Sequence, residues 1–281
     1  MVNYNGNILE DTQANIPITN RGFVYGDALF ETLKVVHNKI LFWEDHYFRL
    51  MASMRIIRME IPMEFTLEHL EEEILKLIEA TNSQSKTLRV KLAVYRNEGG
   101  LYTPHTNSVS YIISSKEIDS YFYQINEDPY IVDLYKDHYI SPSLLSTLKS
   151  NNRLLNIIGG VYAKENNLHN CLLLNTDKQV VEALNANLFL VKGNTIKTSP
   201  LGSGCLKGIL RKQLMEIIDL VPELVLEESP ISPFELQKAD ELFLTNVITG
   251  IQPISQYRKK KFDNKIAKDL LGKLNTKVRL S

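Results

Sequence analysis

The sequence is poor in the features that mark secreted, membrane-spanning and zinc-binding proteins. Its 281 residues include two cysteines, Cys171 and Cys205, which supply neither a disulfide framework nor the spacing of a zinc site. No apolar run approaches the roughly 18 residues that a membrane-spanning helix requires. The first residues, MVNYNGNILEDTQ, lack the basic and apolar regions of a signal peptide. These absences predict a cytoplasmic protein with buried thiols, no membrane partner and no metal site.

An excess of either charge is missing as well. The chain has 32 basic and 33 acidic residues, and this balance gives no indication of a nucleic-acid partner. The basic run YRKKK at 257–261 is short and is followed by Phe-Asp-Asn, so a solvated turn is favoured over a nucleic-acid patch. Hydrophobic residues make up 44% and charged residues 23%, which is ordinary for a globular protein.

What is present is an alternation of strand and helix patterns in each half of the chain. Apolar residues recur at helical spacing over 46–59 and 65–81, and strand patterns follow over 87–96 and 108–117. The pattern then weakens into polar and aromatic residues, which is typical of an interdomain connection. We therefore predict an α+β protein with a smaller N-terminal α/β domain (1–118) and a larger C-terminal domain (119–281).

A glycine-rich loop, LGSGCLKG, precedes a helical pattern that starts near Ile209. Glycines allow the backbone to approach a ligand, and the first amides of a helix, here those of Ile209 and Leu210, have no partner within it. This combination is typical of a phosphate site. An ordinary glycine-rich connector is the alternative, since the GxxxxGK[ST] pattern of nucleotide-binding loops is absent.

Three charged residues add to this picture. Glu182 lies in the apolar run KQVVEALNANLFLV, where a buried carboxylate requires a cation or a protonated heterocycle as its partner. Arg49 lies on a predicted helix, and Lys149 precedes another. Each also has an ordinary interpretation as a solvated charge. Together with the anion site they have one joint explanation, because pyridoxal 5′-phosphate (PLP) requires an amine, an acidic partner for its ring nitrogen and a cup for its phosphate.

Five motifs, in order, resemble those of the fold-type IV PLP enzymes, the class IV aminotransferase family. They are RGFVYGDALFETLKV (21–35), FWEDHYFRLMASM (42–54), NCLLLNTDKQVVEALNANLFLVKGNTIKTSP (170–200), LKGILRKQLMEI (206–217) and ADELFLTNVITGIQPI (239–254). The resemblance spans nearly the whole chain. It implies the two-domain fold of the D-amino acid aminotransferases, a PLP cofactor, a small-molecule amino substrate and a homodimer with its active site between the domains.

The resemblance also implies residue roles. Lys149 corresponds to the Schiff-base lysine, which acts as general acid and base. Glu182 is expected to bind the ring nitrogen, and Arg49 the phosphate, together with the amides of Ile209 and Leu210. The family often has threonine in place of Leu210, so only the amide contact is expected there.

A further phosphate contact is expected at Asn246 and Val247. Threonine is frequent in the family at the position of Val247. The Asn246 side chain is therefore the expected side-chain contact in this chain.

The residues around the lysine separate two subgroups of the family. KSNNRL (149–154) resembles the K-x-x-N-R-L of 4-amino-4-deoxychorismate lyases, whereas branched-chain aminotransferases have a tyrosine at the position of Leu154. Thr32 is common in the lyases, where its hydroxyl is expected to assist proton transfer. Against this, the lyases often have an arginine where this chain has Leu101.

The favoured expectation is a lyase that releases pyruvate and 4-aminobenzoate on the route to folate. The alternatives are a branched-chain or D-amino acid transaminase on the same fold and, less favoured, a binding protein that has lost catalysis.

A substrate with two carboxylates requires cationic or amide partners. Arg89 and Arg96 are the expected partners, with Lys91 and Arg153 as further candidates. By resemblance, three aromatic residues line the substrate side, with core packing as their alternative: Tyr25, Phe30 and Tyr102.

Overall fold

The structure is a computed structural model that describes residues 1–280. The chain divides into two compact units, one formed by residues 1–121 with 149–152 and the other by residues 122–148 with the chain from Arg153 onward. The predicted boundary at 118/119 lies close to the first break. The return of residues 149–152 to the first unit was not predicted, and it follows from backbone pairing described below.

The first unit contains a six-stranded sheet with the strand order β2-β1-β6-β5-β3-β4. Its elements are β1 (Val2–Tyr4), β2 (Asn7–Leu9), α1 (Arg21–Val24), β3 (Ala28–Val36), β4 (Lys39–Ile40), α2 (Trp43–Ile56), α3 (Leu67–Ala80), β5 (Thr87–Arg96) and β6 (Val109–Glu117). The strand pairs in this sheet are antiparallel. The long central strands β3, β5 and β6 therefore form its frame.

Helix α3 illustrates how the sequence pattern produces this unit. The hydroxyl of Thr66 accepts a hydrogen bond from the amide of His69, which satisfies one of the amides that a helix start leaves open. Its buried residues Leu70, Ile74 and Leu77 recur at the spacing of one helix face, and α3 packs on β6 and β1. The helical pattern predicted over 65–81 thus matches the observed helix closely.

The second unit contains a sheet with the path β12-β11-β10-β9-β8-β7-β15-β16, and β13 also pairs with β10 and β14. Its strands are β7 (Ile131–Ile140), β8 (Asn170–Asn175), β9 (Val180–Ala183), β10 (Asn187–Lys192), β11 (Thr195–Thr198), β12 (Val225–Glu228), β13 (Glu241–Asn246), β14 (Gly250–Ile254), β15 (Gln256–Tyr257) and β16 (Lys260–Lys261). Its helices are α4 (Leu154–Glu165), α5 (Ile209–Asp219), α6 (Pro233–Lys238) and α7 (Lys265–Leu280), with 3₁₀ turns at Leu144–Thr147 and Leu201–Ser203.

Strands β8 and β9 of this sheet are buried along their whole length. All six residues of β8 are buried, which explains its nearly continuous apolar sequence. Both cysteines lie in this unit, and burial raises the pKa of Cys171 to about 11 and that of Cys205 to about 12. Among residues 1–280, no helix combines the length and the apolar character needed to cross a membrane.

Candidate active site

Lys149 is held in the first unit by backbone pairing with β3. Ser150 pairs antiparallel with Leu29. The amide of Phe30 donates to the carbonyl of Lys149 (2.9 Å), and the amide of Asn151 donates to the carbonyl of Ala28 (3.0 Å). The Lys149 Nζ atom lies 4.5 Å from the centroid of the Phe30 ring. Because α4 begins only at Leu154, Lys149 lies on a short strand-like segment ahead of the helix.

The residues that follow the lysine hold this segment in place. The Arg153 Nη2 atom donates to the carbonyl of Leu148 (2.5 Å). Asn152 packs on Gly26, which has a φ of +67° and has no room for a side chain, since an added Cβ would lie 2.6 Å from Asn152 Oδ1. The Asn-Arg pair in KSNNRL therefore has a structural role beside the lysine.

A buried cluster of Glu31, His46 and Arg49 lies between β3 and α2. Glu31 accepts from Arg49 Nε (2.8 Å) and also from Arg49 Nη2. It further pairs with His46 Nδ1 (2.7 Å). The side chains of Glu31 and Arg49 are 2% and 8% exposed. Glu31 therefore binds the edge of the guanidinium that is formed by Nε and Nη2. The Nη1 atom points away from that edge.

The electrostatics of this cluster keep Glu31 ionised. Burial alone raises the pKa of Glu31, but the charge of Arg49 and the hydrogen bond from His46 outweigh it and hold that pKa at about 2. Burial lowers the pKa of His46; Glu31 opposes this shift, while the charges of Arg49 and Lys149 add to it. His46 is therefore a neutral ring that donates through Nδ1. Sequence reasoning did not assign Glu31 or His46, although a glutamate inside the apolar strand ALFETLKVV was a signal.

The opposite face of the same sheet carries several cations, and one of them, Lys91, contacts the same ring as Lys149. Phe30, Thr32 and Lys34 alternate with the Glu31 face of β3, and Thr32 and Lys34 lie opposite Lys91 and Arg89 of β5. The Lys91 Nζ atom lies 4.8 Å from the Phe30 centroid, so Lys91 and Lys149 contact the same ring.

Burial lowers the pKa of two of these cations, Lys34 and Lys91. It lowers the pKa of Lys34 to about 8. Burial also lowers the pKa of Lys91, with a further contribution from the charge of Arg89. Both shifts disfavour the charged form of the lysine, and an anion bound on this face would oppose them.

Arg96, an expected substrate contact, is instead part of the fold. It is 5% exposed, and its guanidinium donates to Asp27 Oδ2 (2.9 Å), to the carbonyl of Arg58 (3.0 Å) and to that of Ile57 (2.7 Å). These bonds occupy the guanidinium inside the first unit. We therefore leave Arg96 out of the proposed substrate site.

Tyr25 and Tyr102 lie together, with ring centroids 5.9 Å apart. Tyr102 is 92% exposed, so it does not pack in the core of the first unit. Arg21, which sequence reasoning missed, donates to the carbonyls of Gly99 (3.1 Å) and Leu101 (2.8 Å) and so shapes the loop that carries Tyr102.

In the second unit, Glu182 and Asn187 fix the loop that leads into α5. The two residues are partners across β9 and β10. Glu182 Oε2 accepts from the amide of Leu206 (2.8 Å), and Asn187 Nδ2 donates to the carbonyl of Leu206 (2.9 Å). Both backbone groups of Leu206 are thus held. The E-x-x-x-x-N spacing thus places two side chains on the same loop residue, Leu206. These two bonds fix the position at which α5 starts.

The start of α5 and the turn after β13 are the two expected phosphate contacts. Gly208 is the N-cap of α5 and supplies no side-chain hydrogen bond, so the first amides of the helix are open to an external acceptor. In the turn, Asn246 Oδ1 accepts from the amides of Ile248 and Thr249 (3.0 Å each). The Asn246 contact to an anion would therefore be made by Nδ2.

These residues fit PLP. The first unit supplies a primary amine and a guanidinium, and the second supplies a buried carboxylate and a helix start without a side-chain cap. An added Cβ on Gly208 would overlap Asn187 Oδ1, so the backbone at this cap is as close to its neighbours as glycine allows. Amine, carboxylate and anion donors are the groups that the aldehyde, ring nitrogen and phosphate of PLP require.

The amino-transferase class IV family model matches residues 28–257, and the chain belongs to that family. A putative branched-chain-amino-acid aminotransferase of Methanocaldococcus jannaschii is 25% identical over 98% of this chain and 94% of its own. An aminodeoxychorismate lyase of Vibrio harveyi is 24% identical over 94% of this chain and 97% of its own. The solved 4-amino-4-deoxychorismate lyase of Pseudomonas aeruginosa superposes with a TM-score of 0.84 at 25% identity, covering 98% of each chain.

The predictions of the fold-type IV class, of an enzyme and of a PLP cofactor are thereby confirmed. The similar proteins carry the names of both reactions, lyase and transaminase. The choice between the two reactions therefore depends on the residues that face the substrate.

Replacing Glu31 by glutamine should weaken PLP binding by tenfold or more, because the Arg49 guanidinium loses its ionised partner and its fixed orientation. Breaking one side of a buried ion pair costs about 3–5 kcal/mol of unfolding free energy. Titration of the apoprotein with PLP and chemical denaturation measure the two effects. Glu73→Gln is a matched control, since Glu73 is a buried carboxylate of the same unit whose partners include Asn3 and the half-exposed Lys76 rather than Arg49.

The same variant tests the pH dependence of stability. A carboxyl whose folded pKa is about 2 stabilises the fold fully above its unfolded value near 4.5, and this contribution is lost as the pH falls towards 2. Wild-type stability should therefore fall more steeply than that of Glu31→Gln between about pH 4.5 and 2. Parallel slopes for the two proteins would contradict the ionised state of Glu31.

Replacing Gly208 by alanine should displace Asn187 and with it the start of α5, because the new Cβ overlaps Asn187 Oδ1. We expect weaker PLP binding and a lower Tm. Gly202→Ala is the matched control in the same loop, since an added Cβ there meets nothing within 4 Å. Equal PLP affinities for the two variants would argue against a phosphate contact at this helix start.

Proposed function

We propose that the protein is a 4-amino-4-deoxychorismate lyase, which cleaves its substrate into 4-aminobenzoate and pyruvate for folate biosynthesis. The observation that carries the proposal is the cationic sheet face beside Lys149. Lys91 and Lys149 contact the same Phe30 ring, and Arg89 adds a further exposed cation opposite the buried Lys34.

The charges of the competing substrates favour this choice. Aminodeoxychorismate carries two carboxylates, on the ring and on the enolpyruvyl group, and both require cationic or amide partners. A branched-chain amino acid carries one carboxylate and an apolar side chain, which favours an apolar pocket. A face that exposes Arg89 and Lys91 suits the dianion better.

The reaction requires one proton to be taken and one to be given. PLP, when bound, supplies the electron-withdrawing ring that makes the proton on the amine-bearing carbon acidic. The Lys149 amine removes that proton, the bond between the ring carbon and the ether oxygen breaks, and the enolpyruvyl group gains a proton at its methylene carbon to become pyruvate. No water or oxidant is consumed, because the atoms of the substrate equal those of the two products.

Thr32 is the second residue that we assign to proton transfer. It lies on the same face of β3 as Phe30 and opposite Lys91 across β5. Its hydroxyl both donates and accepts, so it is suited to pass a proton towards the departing enolpyruvyl group. Thr32 is 8% exposed, which limits competition from bulk water.

The remaining residues bind and orient the cofactor in this proposal. Glu182 faces the ring nitrogen and keeps it protonated. Arg49 and the first amides of α5, those of Ile209 and Leu210, bind the phosphate, and Asn246 with Val247 adds the turn contact. Tyr25, Phe30 and Tyr102 line the substrate side.

We further propose that the protein is a homodimer and is cytoplasmic. The first unit has exposed apolar side chains at Phe23, Val24 and Leu101, and these support the homodimer. The mass of the purified protein in solution, measured by sedimentation, tests it.

A transaminase is the second candidate, and one observation favours it. Leu101 stands where the lyases often have an arginine, and it is 76% exposed. A transaminase for branched-chain or D-amino acids would use the same Lys149 and the same cofactor contacts. It would differ in needing an amino acceptor such as 2-oxoglutarate, whose two carboxylates would also suit the cationic face.

An assay with aminodeoxychorismate separates the two reactions. The PLP-loaded protein should release 4-aminobenzoate and pyruvate in equal amounts without any 2-oxoacid, as measured by chromatography and by coupling pyruvate to lactate dehydrogenase. Lys149→Ala should lose this activity and the covalent PLP adduct that borohydride traps. Turnover of branched-chain or D-amino acids with 2-oxoglutarate, and none of aminodeoxychorismate, would overturn the lyase proposal.

Replacing Lys91 by glutamine tests the cationic face directly. Loss of one charge-assisted contact should raise the KM for aminodeoxychorismate about tenfold with little change in kcat, because the contact acts in binding. Lys76→Gln is the control, since Lys76 is an exposed lysine of α3, and α3 packs on the opposite, Glu31 face of the sheet, where Glu73 binds Asn3. An unchanged KM for Lys91→Gln would remove Lys91 from the substrate site.

A further inference from the structure

The connection into the second unit is anchored at Tyr123, which is 4% exposed. The side chain of Asn275 on α7 binds both backbone groups of this residue. Asn275 Nδ2 donates to the carbonyl of Tyr123 (2.8 Å), and Asn275 Oδ1 accepts from its amide (3.1 Å). The Tyr123 side chain therefore projects from a fixed point of the backbone.

From that point the Tyr123 ring reaches the turn between β13 and β14. The turn ends at Gly250, where φ is +77° and where an added Cβ would lie 2.7 Å from the ring. Tyr123 Oη donates to the carbonyl of Val247 (2.7 Å). Burial raises the pKa of Tyr123, so the hydroxyl stays a neutral donor.

The peptide group between Val247 and Ile248 is consequently held at both ends. Tyr123 binds its carbonyl, and Asn246 Oδ1 binds its amide (3.0 Å). This peptide cannot rotate without breaking both bonds. Because Asn246 Oδ1 also accepts from Thr249, the Asn246 amide has one orientation, in which Nδ2 is the group left to meet an external acceptor.

We propose that Tyr123 is a positioning residue for phosphate binding at this turn. It holds the Val247–Ile248 peptide, and through that peptide it holds Asn246 in the orientation that presents Nδ2 to an anion. The inference rests on the proposed function, in which Asn246 and Val247 contact the phosphate of PLP. It adds a residue of the interdomain connection to the groups that determine cofactor affinity.

Titration of apoprotein with PLP and with pyridoxal, which lacks the phosphate, tests the inference. Tyr123→Phe removes one hydrogen bond and should weaken PLP binding about three- to tenfold, with the affinity for pyridoxal unchanged. Tyr130→Phe is the matched control, because it also removes a tyrosine hydroxyl of the second unit, one that accepts from Asn170, and PLP affinity should stay at the wild-type value.

A second variant tests whether Tyr123 acts through Asn246. Asn246→Asp keeps an oxygen that accepts from Ile248 and Thr249 but replaces the Nδ2 donor by a charge. It should weaken PLP binding more than Tyr123→Phe does. The double variant should bind PLP no more weakly than Asn246→Asp alone, since the two changes affect one contact.

Three outcomes would overturn the inference. They are a wild-type affinity of Tyr123→Phe for PLP, an equal loss for PLP and pyridoxal with a lower Tm, and additive losses in the double variant. Failure of the wild-type protein to bind PLP at all would instead overturn the proposed function. The two failures are therefore distinguishable in one set of titrations.

Discussion

Backbone pairing between residues 149–152 and the start of β3 is the constraint on which the arrangement of the first unit depends. The two hydrogen bonds that join Phe30 to Lys149 and Asn151 to Ala28 bring a distant segment back to an edge that β4 leaves open. An open edge offers unpaired amides and carbonyls, so this pairing also completes the sheet. It carries the lysine to Phe30 and thereby to the cationic face.

The two carboxylates that lie inside apolar strands, Glu31 and Glu182, each have a defined partner on their own unit. Glu31 binds Arg49 and His46, and Glu182 binds the amide of Leu206. A buried carboxylate without such partners is costly, so these bonds make the charges compatible with the core. The apolar strands give rigidity, and the polar residues within them, Glu31 and Glu182, carry the charges.

The sequence pattern predicted elements well where the signal was local. The pattern at 65–81 predicted α3, and the glycine-rich loop predicted the start of α5 at Ile209. Pairing of residues 149–152 with β3 escaped prediction because backbone pairing between distant segments leaves no local pattern in a short polar stretch. The burial of Arg96 escaped for a related reason, since its partners Asp27, Ile57 and Arg58 are distant in sequence. The roles of Lys149, Glu182 and Arg49 came from family motifs rather than from spacing.

The pairing of Glu31 with Arg49 has an energetic consequence for ligand binding. A long arginine side chain normally loses considerable rotamer entropy when it grips a ligand. Here folding has already frozen the Arg49 guanidinium against Glu31. If Arg49 binds the cofactor phosphate as proposed, it does so with little further loss of entropy, and preorganisation rather than additional contact area sets its contribution to affinity.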